Sequence, residues 1–389
     1  MTEAAALHLD PPPFQADCAL SAVWDALPEA RVAGGAVRDV LAGRSASDID
    51  LATPQAPEAV TEALVKAGLR VVPTGLAHGT VTAVVDGRGF EVTTLRRDVE
   101  TDGRHAVVAF TADWRQDASR RDFTINAMSM ARDGRVFDYF GGVTDLAAGR
   151  VRFVGDPALR IHEDYLRILR FFRFYGRYGR VLPDHDTLAA LHAGIPGLAR
   201  LSVERVWTEL RLILSADDPS AAVALMDGLG IWRQLLPDAA AISRLKALPP
   251  DPILRLAAML TGDPLELALR LKLSLEDRDR LVRLRATPAP RPGDDDAALR
   301  RLLADHETTD VIDRVWLDSG PDALRQRLAV MQRPVFPLEG RDVLALGVAP
   351  GPLVGKLLRE VRQWWLDGGC TAGRSACEAE LARRTCAKA

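Results

Sequence analysis

Gly34-Gly35-Ala36-Val37-Arg38-Asp39, followed after a short spacer by Asp48-Ile49-Asp50, leaves this chain few choices of local structure. Residues 31–34 read as the end of a short strand, 36–42 as a helix stopped by Gly43, and 48–53 as a second strand. Residues two apart on a strand share a face, so Asp48 and Asp50 project together while Ile49 turns into the core. Two neighbouring carboxylates repel, and a hard divalent cation relieves that repulsion. The glycine pair lets backbone amides approach phosphate oxygens closely, and the helix behind it presents its N-terminus to the same anion. On the Asp-x-Asp pair alone, a solvated turn capped by Asp48 reads better; the preceding Gly-Gly-x-Val-Arg-Asp shifts the reading to a metal and phosphate site.

Around this motif the first 150 residues alternate helix and strand, with helices expected over 17–27 and 57–68 behind a loose lead-in at 1–15. Thr80–Val85 and Phe90–Leu95, joined by Asp86-Gly87-Arg88-Gly89, carry a hairpin signature. Glu91 falls on the strand expected beside Asp48 and Asp50; it reads equally as a third metal-side carboxylate or as a strand-edge acid facing solvent. Residues 98–118 are polar and aperiodic, and read as a long mobile loop. From about residue 156 the pattern is helical, and the Pro/Gly/Asp stretch at 287–296 is the best linker candidate.

A second dense motif is Arg120-Arg121-Asp122-Phe123-Thr124-Ile125-Asn126-Ala127-Met128. Its apolar residues predict partial burial, and charges there need partners. A triphosphate and a ribose would supply them; so would an internal salt bridge. A third motif opens a helix at Asp156-Pro157 with an N-cap and an N1 proline. Ile161, Tyr165, Ile168, Leu169 and Phe172 share one face of it, and Glu163, Asp164, Arg167 and Arg170 the other, with Arg173 at the edge. Ion pairing such as Glu163–Arg167 is the plain explanation. The alternative is that a carboxylate and a guanidinium one turn apart imitate a base edge. They would pair with cytosine or, after a small shift, adenine, and leave guanine and uracil with unpaired polar groups. Glu204 and Arg205, on the helix opened by Ser202, read as bracing rather than phosphate-positioning residues.

The three motifs, in this order, resemble the class II tRNA nucleotidyltransferase (CCA-adding enzyme) and bacterial poly(A) polymerase family, strongly over residues 30–215. The resemblance implies an α/β nucleotidyltransferase head of polymerase β type with a mixed sheet (1–150). All-α neck (151–215), body (216–286) and tail (297–389) domains would follow, the tail gripping tRNA. It implies Mg²⁺ on Asp48 and Asp50, with Glu91 assisting catalysis. Gly34, Gly35, Arg38 and Arg121 would hold the nucleotide's phosphates, Asp122 the ribose, and Asp164 and Arg167 the base, supported by Arg170 and Arg173. The implied reaction adds CMP, CMP and AMP from CTP and ATP to a tRNA 3′ end, releasing diphosphate. Poly(A) polymerase or partial CC- or A-addition shares these motifs, and an inactive RNA-binding protein on the same fold is the alternative of another class.

Composition excludes other classes. No run of 18 apolar residues is present, so no membrane partner is expected, and the N-terminus lacks a signal-peptide pattern. The four cysteines form neither a zinc pattern nor a disulfide framework, which points to a reduced cytoplasm. The net charge of −3 does not advertise a nucleic-acid binder, but residues 150–180 hold eight arginines against three acids. The 346–356 stretch is no P-loop, since Leu357 follows Lys356 where Ser or Thr is needed. The histidines make no metal-binding doublet, and Gly-x-Ser-x-Gly is absent.

Overall fold

A computed structural model describes residues 3–46, 48–76, 79–101, 106–237 and 242–386. The chain forms two compact units, Met1–Pro237 and Asp238–Ala389. In the first, eight strands build one mixed sheet in the order β1-β10-β9-β2-β3-β6-β5-β4. They are β1 (Leu7–His8), β2 (Arg31–Ala33), β3 (Leu51–Thr53), β4 (Arg70–Gly75), β5 (Thr80–Val85), β6 (Arg88–Thr94), β9 (Met128–Met130) and β10 (Arg135–Asp138). The expected 80–95 hairpin is present as β5–β6, with Val81 opposite Val92. The pair β3–β6 is parallel, and its register sets Leu51 beside Val92. Asp50 and Glu91, each one residue earlier, therefore emerge side by side.

Helices α1 (Cys18–Ala26), α2 (Gly35–Leu41) and α3 (Pro57–Lys66) alternate with these strands. Trp24 on α1 and Leu64 on α3 are buried in the core. Buried apolar side chains of this size contribute roughly 1.5–3 kcal/mol each, which fixes the sheet beneath the glycine turn.

Four local expectations change. The second strand begins at Leu51 rather than residue 48; Asp48 and Asp50 are exposed and Ile49 is buried on the approach to it, so the alternation holds without the ladder. The lead-in is not wholly loose, because Leu7–His8 pairs with β10 at the sheet edge. The segment read as a loop over 98–118 is instead a two-stranded ribbon, β7 (Arg96–Thr101) with β8 (Ala106–Phe110), followed by helix α4 (Trp114–Ser119). The Ala-Val-Val-Ala-Phe run at 106–110 supplies β-favouring residues. Asp113 caps α4 by accepting from the Arg115 and Gln116 amides. Residues 102–105 of that segment lie outside the described ones.

The fourth change concerns the third motif. After α5 (Gly142–Ala148), the expected single helix is two, α6 (Pro157–Glu163) and α7 (Leu166–Tyr178). Asp164 is extended at φ −154°, ψ 109°, and its Oδ1 accepts from the Leu166 amide at 3.0 Å. A short carboxylate that bonds nearby backbone competes with helix continuation. Asp156 caps α6 as expected, accepting from the Leu159 amide. Beyond α7 come α8 (His185–Gly194) and α9 (Val203–Leu214), then helices at Ser220–Gly228 and Ile231–Leu235.

The second unit is helical from Pro252 to Cys386 among its described residues. Leu299, Leu303, Val311, Val315 and Leu328 form one core; Val343, Leu357, Val361, Trp365 and Cys377 form another. No regular element occupies 287–295, and a helix begins at Pro352 after the Gly351 turn.

Candidate active site

Backbone conformation at Gly34 comes first. Its φ is +69°, where L side chains are strained, and a Cβ there would lie 2.8 Å from Arg121 Nη1. Glycine thus admits the guanidinium of Arg121 against the turn between β2 and α2. Arg121 Nη1 donates to the Asn126 carbonyl at 3.4 Å, and its Nη2 to Asp117 at 3.2 Å. Asp117, 4% exposed, also receives Arg120 Nε at 3.0 Å and the Arg96 amide at 3.1 Å. Burial alone would raise its carboxyl, but Arg121 and Arg120 hold it below the usual carboxylate range. One carboxylate thereby orients two arginines and anchors the ribbon that starts at Arg96.

Asp122 sits on the other side of Arg121. Its Oδ2 accepts from Arg170 Nε at 2.8 Å and Nη2 at 2.5 Å. Its Oδ1 accepts from Asn126 Nδ2 at 3.0 Å and the Phe123 amide at 2.9 Å. Burial would raise this carboxyl too; Arg170 and Asn126 keep it below its ordinary value. Packing explains the pairing. Phe123 is fully buried against Phe153 (ring centroids 4.9 Å), Phe174 (5.3 Å) and Phe171 (6.1 Å). Such pairs contribute about 0.5–1.5 kcal/mol beyond area burial. Phe171 follows Arg170, so this cluster delivers α7 to Asp122.

Arg38 is 8% exposed. It donates from Nη1 to Asn126 Oδ1 at 2.5 Å and from Nε and Nη2 to Asp39 at 3.1 and 3.0 Å. Asn126 so bridges Arg38 to Asp122. Arg173 pairs with Glu209 on α9 at 3.1 Å. Burial pushes the Arg173 pKa down and the Glu209 pKa up, and each eases the shift of the other.

At the outer end, Asp164 Oδ2 accepts from Arg205 Nη2 at 2.6 Å. Arg167 Nη1 donates to the Arg160 carbonyl at 2.8 Å and also to Glu163, the ion pair the spacing suggested. Both observed bonds of Arg167 use Nη1, which leaves Nε and Nη2 for another acceptor.

These groups line two adjoining clefts. A cavity of about 190 Å³ is bounded by Gly34, Gly35, Asp50, Glu91, Arg120 and Arg121. A wider one of about 620 Å³ takes in Gly34, Gly35, Arg38, Arg121, Asp122, Asn126, Asp164, Arg167, Arg170 and Phe174. The Asp50 residue is exposed, yet protein around its carboxyl displaces water and raises its pKa. Glu91 and then Asp48 add to the rise, and Arg121 opposes it.

Ten of the twelve residues expected from the sequence therefore wall these two adjoining clefts. Asp48 lines neither cavity, although its charge acts on Asp50. Arg173 stands behind the wall, its Cζ 4.5 Å from the Phe174 ring. Missed were Arg96 and Arg120 as lining residues, Asn126 as the bridge, Phe174, and the supporting partner Asp117. Asp117 had a signal: a lone acid three and four residues before two arginines. Arg205 was expected on a bracing helix, but nothing in the sequence named Asp164, 41 positions away, as its partner.

Fold and cleft together define a nucleotidyltransferase: acids side by side where β3 meets β6, a glycine turn, and arginines leading to Asp164 and Arg167. Residues 30–152 match the poly A polymerase head domain family, and 183–243 the probable RNA- and SrmB-binding site of polymerase A. The chain is 40% identical over 368 residues to the mitochondrial CCA tRNA nucleotidyltransferase 1 of Mus musculus, covering 88% of this chain and 83% of that one. The Homo sapiens protein of the same name is 39% identical over 365 residues, with the same coverage. The chain belongs to the CCA tRNA nucleotidyltransferase family. Its structure resembles that of the Bacillus stearothermophilus CCA-adding enzyme in complex with CTP, with a TM-score of 0.78, 26% identity and coverage of 98% and 99% of the two chains. The fold also matches the Thermotoga maritima CCA-adding enzyme complexed with tRNA, at a TM-score of 0.69 and 21% identity.

Proposed function

We propose that this protein adds CMP, CMP and AMP, from CTP and ATP, to the 3′ end of tRNA and releases diphosphate at each step. The observation that carries the reading is the pair of adjoining clefts, one holding Asp50 and Glu91, the other Asp164 and Arg167, which share Gly34, Gly35 and Arg121. Acids, phosphate-facing guanidiniums and a base-edge pair follow one another as the parts of a nucleotide do.

The residues divide the work. Gly34 and Gly35 let the triphosphate approach the backbone, and Arg121, held by Asp117, neutralises it. Asp122, fixed by Arg170 and Asn126, offers oxygens to the ribose hydroxyls. Asp164 accepts from the exocyclic amine of cytosine or adenine, and the unengaged Nε and Nη2 of Arg167 donate to the ring nitrogen. Guanine and uracil reverse that order and leave polar groups unpaired, which costs about 1–3 kcal/mol each. The tRNA 3′ hydroxyl then attacks the α-phosphate in line.

The acids fit a divalent cation by their chemistry: Asp50 is raised first by burial and then by the neighbouring Glu91 and Asp48, and all three carboxylates offer hard oxygen donors. Among the described residues they do not close into a cage. That suits an ion which completes its shell with phosphate oxygens and water. Asp48 and Asp50 would hold Mg²⁺, with Glu91 beside them; when bound, the ion activates the attacking hydroxyl and neutralises the leaving group. The described cysteines are free, consistent with a reducing compartment, and we assign the cytoplasm. No helix among the described residues is long and apolar enough to cross a membrane. We keep the division into head, neck, body and tail given by the resemblance.

Incubation with tRNA lacking CCA and each nucleoside triphosphate separately tests this reading. CTP alone should add two CMP and stop, ATP alone should add nothing to tRNA lacking CCA, and the two together should add CMP, CMP and one AMP. Continuous AMP addition with no use of CTP would establish poly(A) polymerase instead.

A further inference from the structure

Another cavity opens in the first unit, sharing no lining residue with the candidate active site, and its volume is about 500 Å³. Leu7, Leu41 and Leu146 give it an aliphatic wall, and Tyr178 closes one side. Arg44 and Arg177 stand at it with exposed side chains.

The charges there are poorly compensated. Arg44 donates only to the Arg177 carbonyl, at 3.4 Å, and has no carboxylate partner among the described residues. Arg177 lies 4.0 Å from one carboxylate among the described residues, that of Asp39, and its Cζ is 5.6 Å from the Tyr178 ring. Asp39 is partly committed: its Oδ1 accepts two bonds from Arg38 and one from the Tyr178 hydroxyl, so only its Oδ2 faces Arg177. Arg180, also at the cavity, spends its Nη2 on the Leu146 and Ala147 carbonyls. Two guanidiniums thus stand at a pocket with a single nearby carboxylate, which Arg177 alone of the two approaches, at 4.0 Å, an arrangement that attracts a phosphate. The cavity is too roomy and too apolar for phosphate alone. Small-molecule sites typically span roughly 300–1,000 Å³, mostly apolar with a few placed polar groups.

We propose that this cavity is a second nucleotide site, which takes a nucleoside monophosphate with its phosphate on Arg44 and Arg177 and its base against the leucine wall. The proposal does not depend on the reaction assigned to the main cleft.

Equilibrium dialysis of the full-length protein with radiolabelled AMP tests it, with a non-hydrolysable CTP analogue present at saturation. Wild type should bind one AMP per chain. The Arg44→Ala/Arg177→Ala variant should bind it at least tenfold more weakly while keeping its melting temperature and its affinity for the CTP analogue; both side chains are exposed, so folding is not at risk. Inorganic phosphate and a single-stranded RNA hexamer serve as competitors, and both should displace AMP only at concentrations well above AMP's own dissociation constant. The proposal fails if no saturable AMP binds beside the analogue, or if the double variant binds AMP as wild type does. It fails also if the hexamer competes more tightly than AMP itself, since the cavity would then hold RNA backbone.

Discussion

Asp122 and Arg170 join two motifs 48 positions apart, and their coupling can be measured. Two charge-assisted hydrogen bonds connect them, at 2.8 and 2.5 Å. Bonds to charged groups contribute about 1.5–3 kcal/mol each. Arg170's side chain is 32% exposed and also lies 3.7 Å from Glu209, so solvent and a second acid soften the loss. Asp122→Asn should therefore destabilise the protein by about 2–4 kcal/mol, and a double-mutant cycle with Arg170→Gln should return a coupling of about 2 kcal/mol. Urea unfolding followed by tryptophan fluorescence reads both. The sign with pH follows from the depressed carboxyl of Asp122. Its contribution is complete above the unfolded value near 3.8 and fades as pH falls through the lower folded value. The acid limb of stability should be shallower in Asp122→Asn. A coupling under about 0.5 kcal/mol, or an unchanged acid limb, would refute the view that this pair ties the second motif to α7.

Other perturbations separate the parts of the site. Gly34→Ala imposes φ +69° on an L residue and sets a methyl 2.8 Å from Arg121; kcat/KM for CTP should fall about tenfold or more, from a penalty of about 1–2 kcal/mol. Asp48→Ala should abolish transfer while tRNA binding by filter retention is spared, and an unchanged rate would remove the metal assignment. Arg205→Ala frees one oxygen of Asp164. Discrimination of CTP over UTP, measured as a ratio of kcat/KM, should drop by about tenfold, as loss of orientation weakens a polar discriminator; an unaltered ratio would make Arg205 purely structural.

What was legible in the sequence was whatever short spacing carries. Gly34, Asp50, Arg121 and Asp122 sit in contiguous motifs whose residue types state their chemistry, and the 80–95 hairpin announces itself by alternation. Three strands, β4, β9 and β10, were not legible: β4 carries Pro73 and a register shift, β9 and β10 are three and four residues long, and β9 pairs with distant β2, where Val32 meets Met130. The break at Asp164 was hidden because the apolar period runs through it undisturbed. Only the Leu166 amide and Arg205, taken together, show why the chain leaves the helix there. The ribbon at 96–110 was missed for the converse reason: its polar strand lacks a pattern, and pairing comes from the partner strand.

A crystal structure with CTP and tRNA lacking its terminal CCA examines the account most directly. The cytosine edge should lie within hydrogen-bond distance of Asp164 and Arg167, with the α-phosphate beside Asp50. A base stacked elsewhere in the cleft, with Asp164 still held solely by Arg205 and the Leu166 amide, would contradict it.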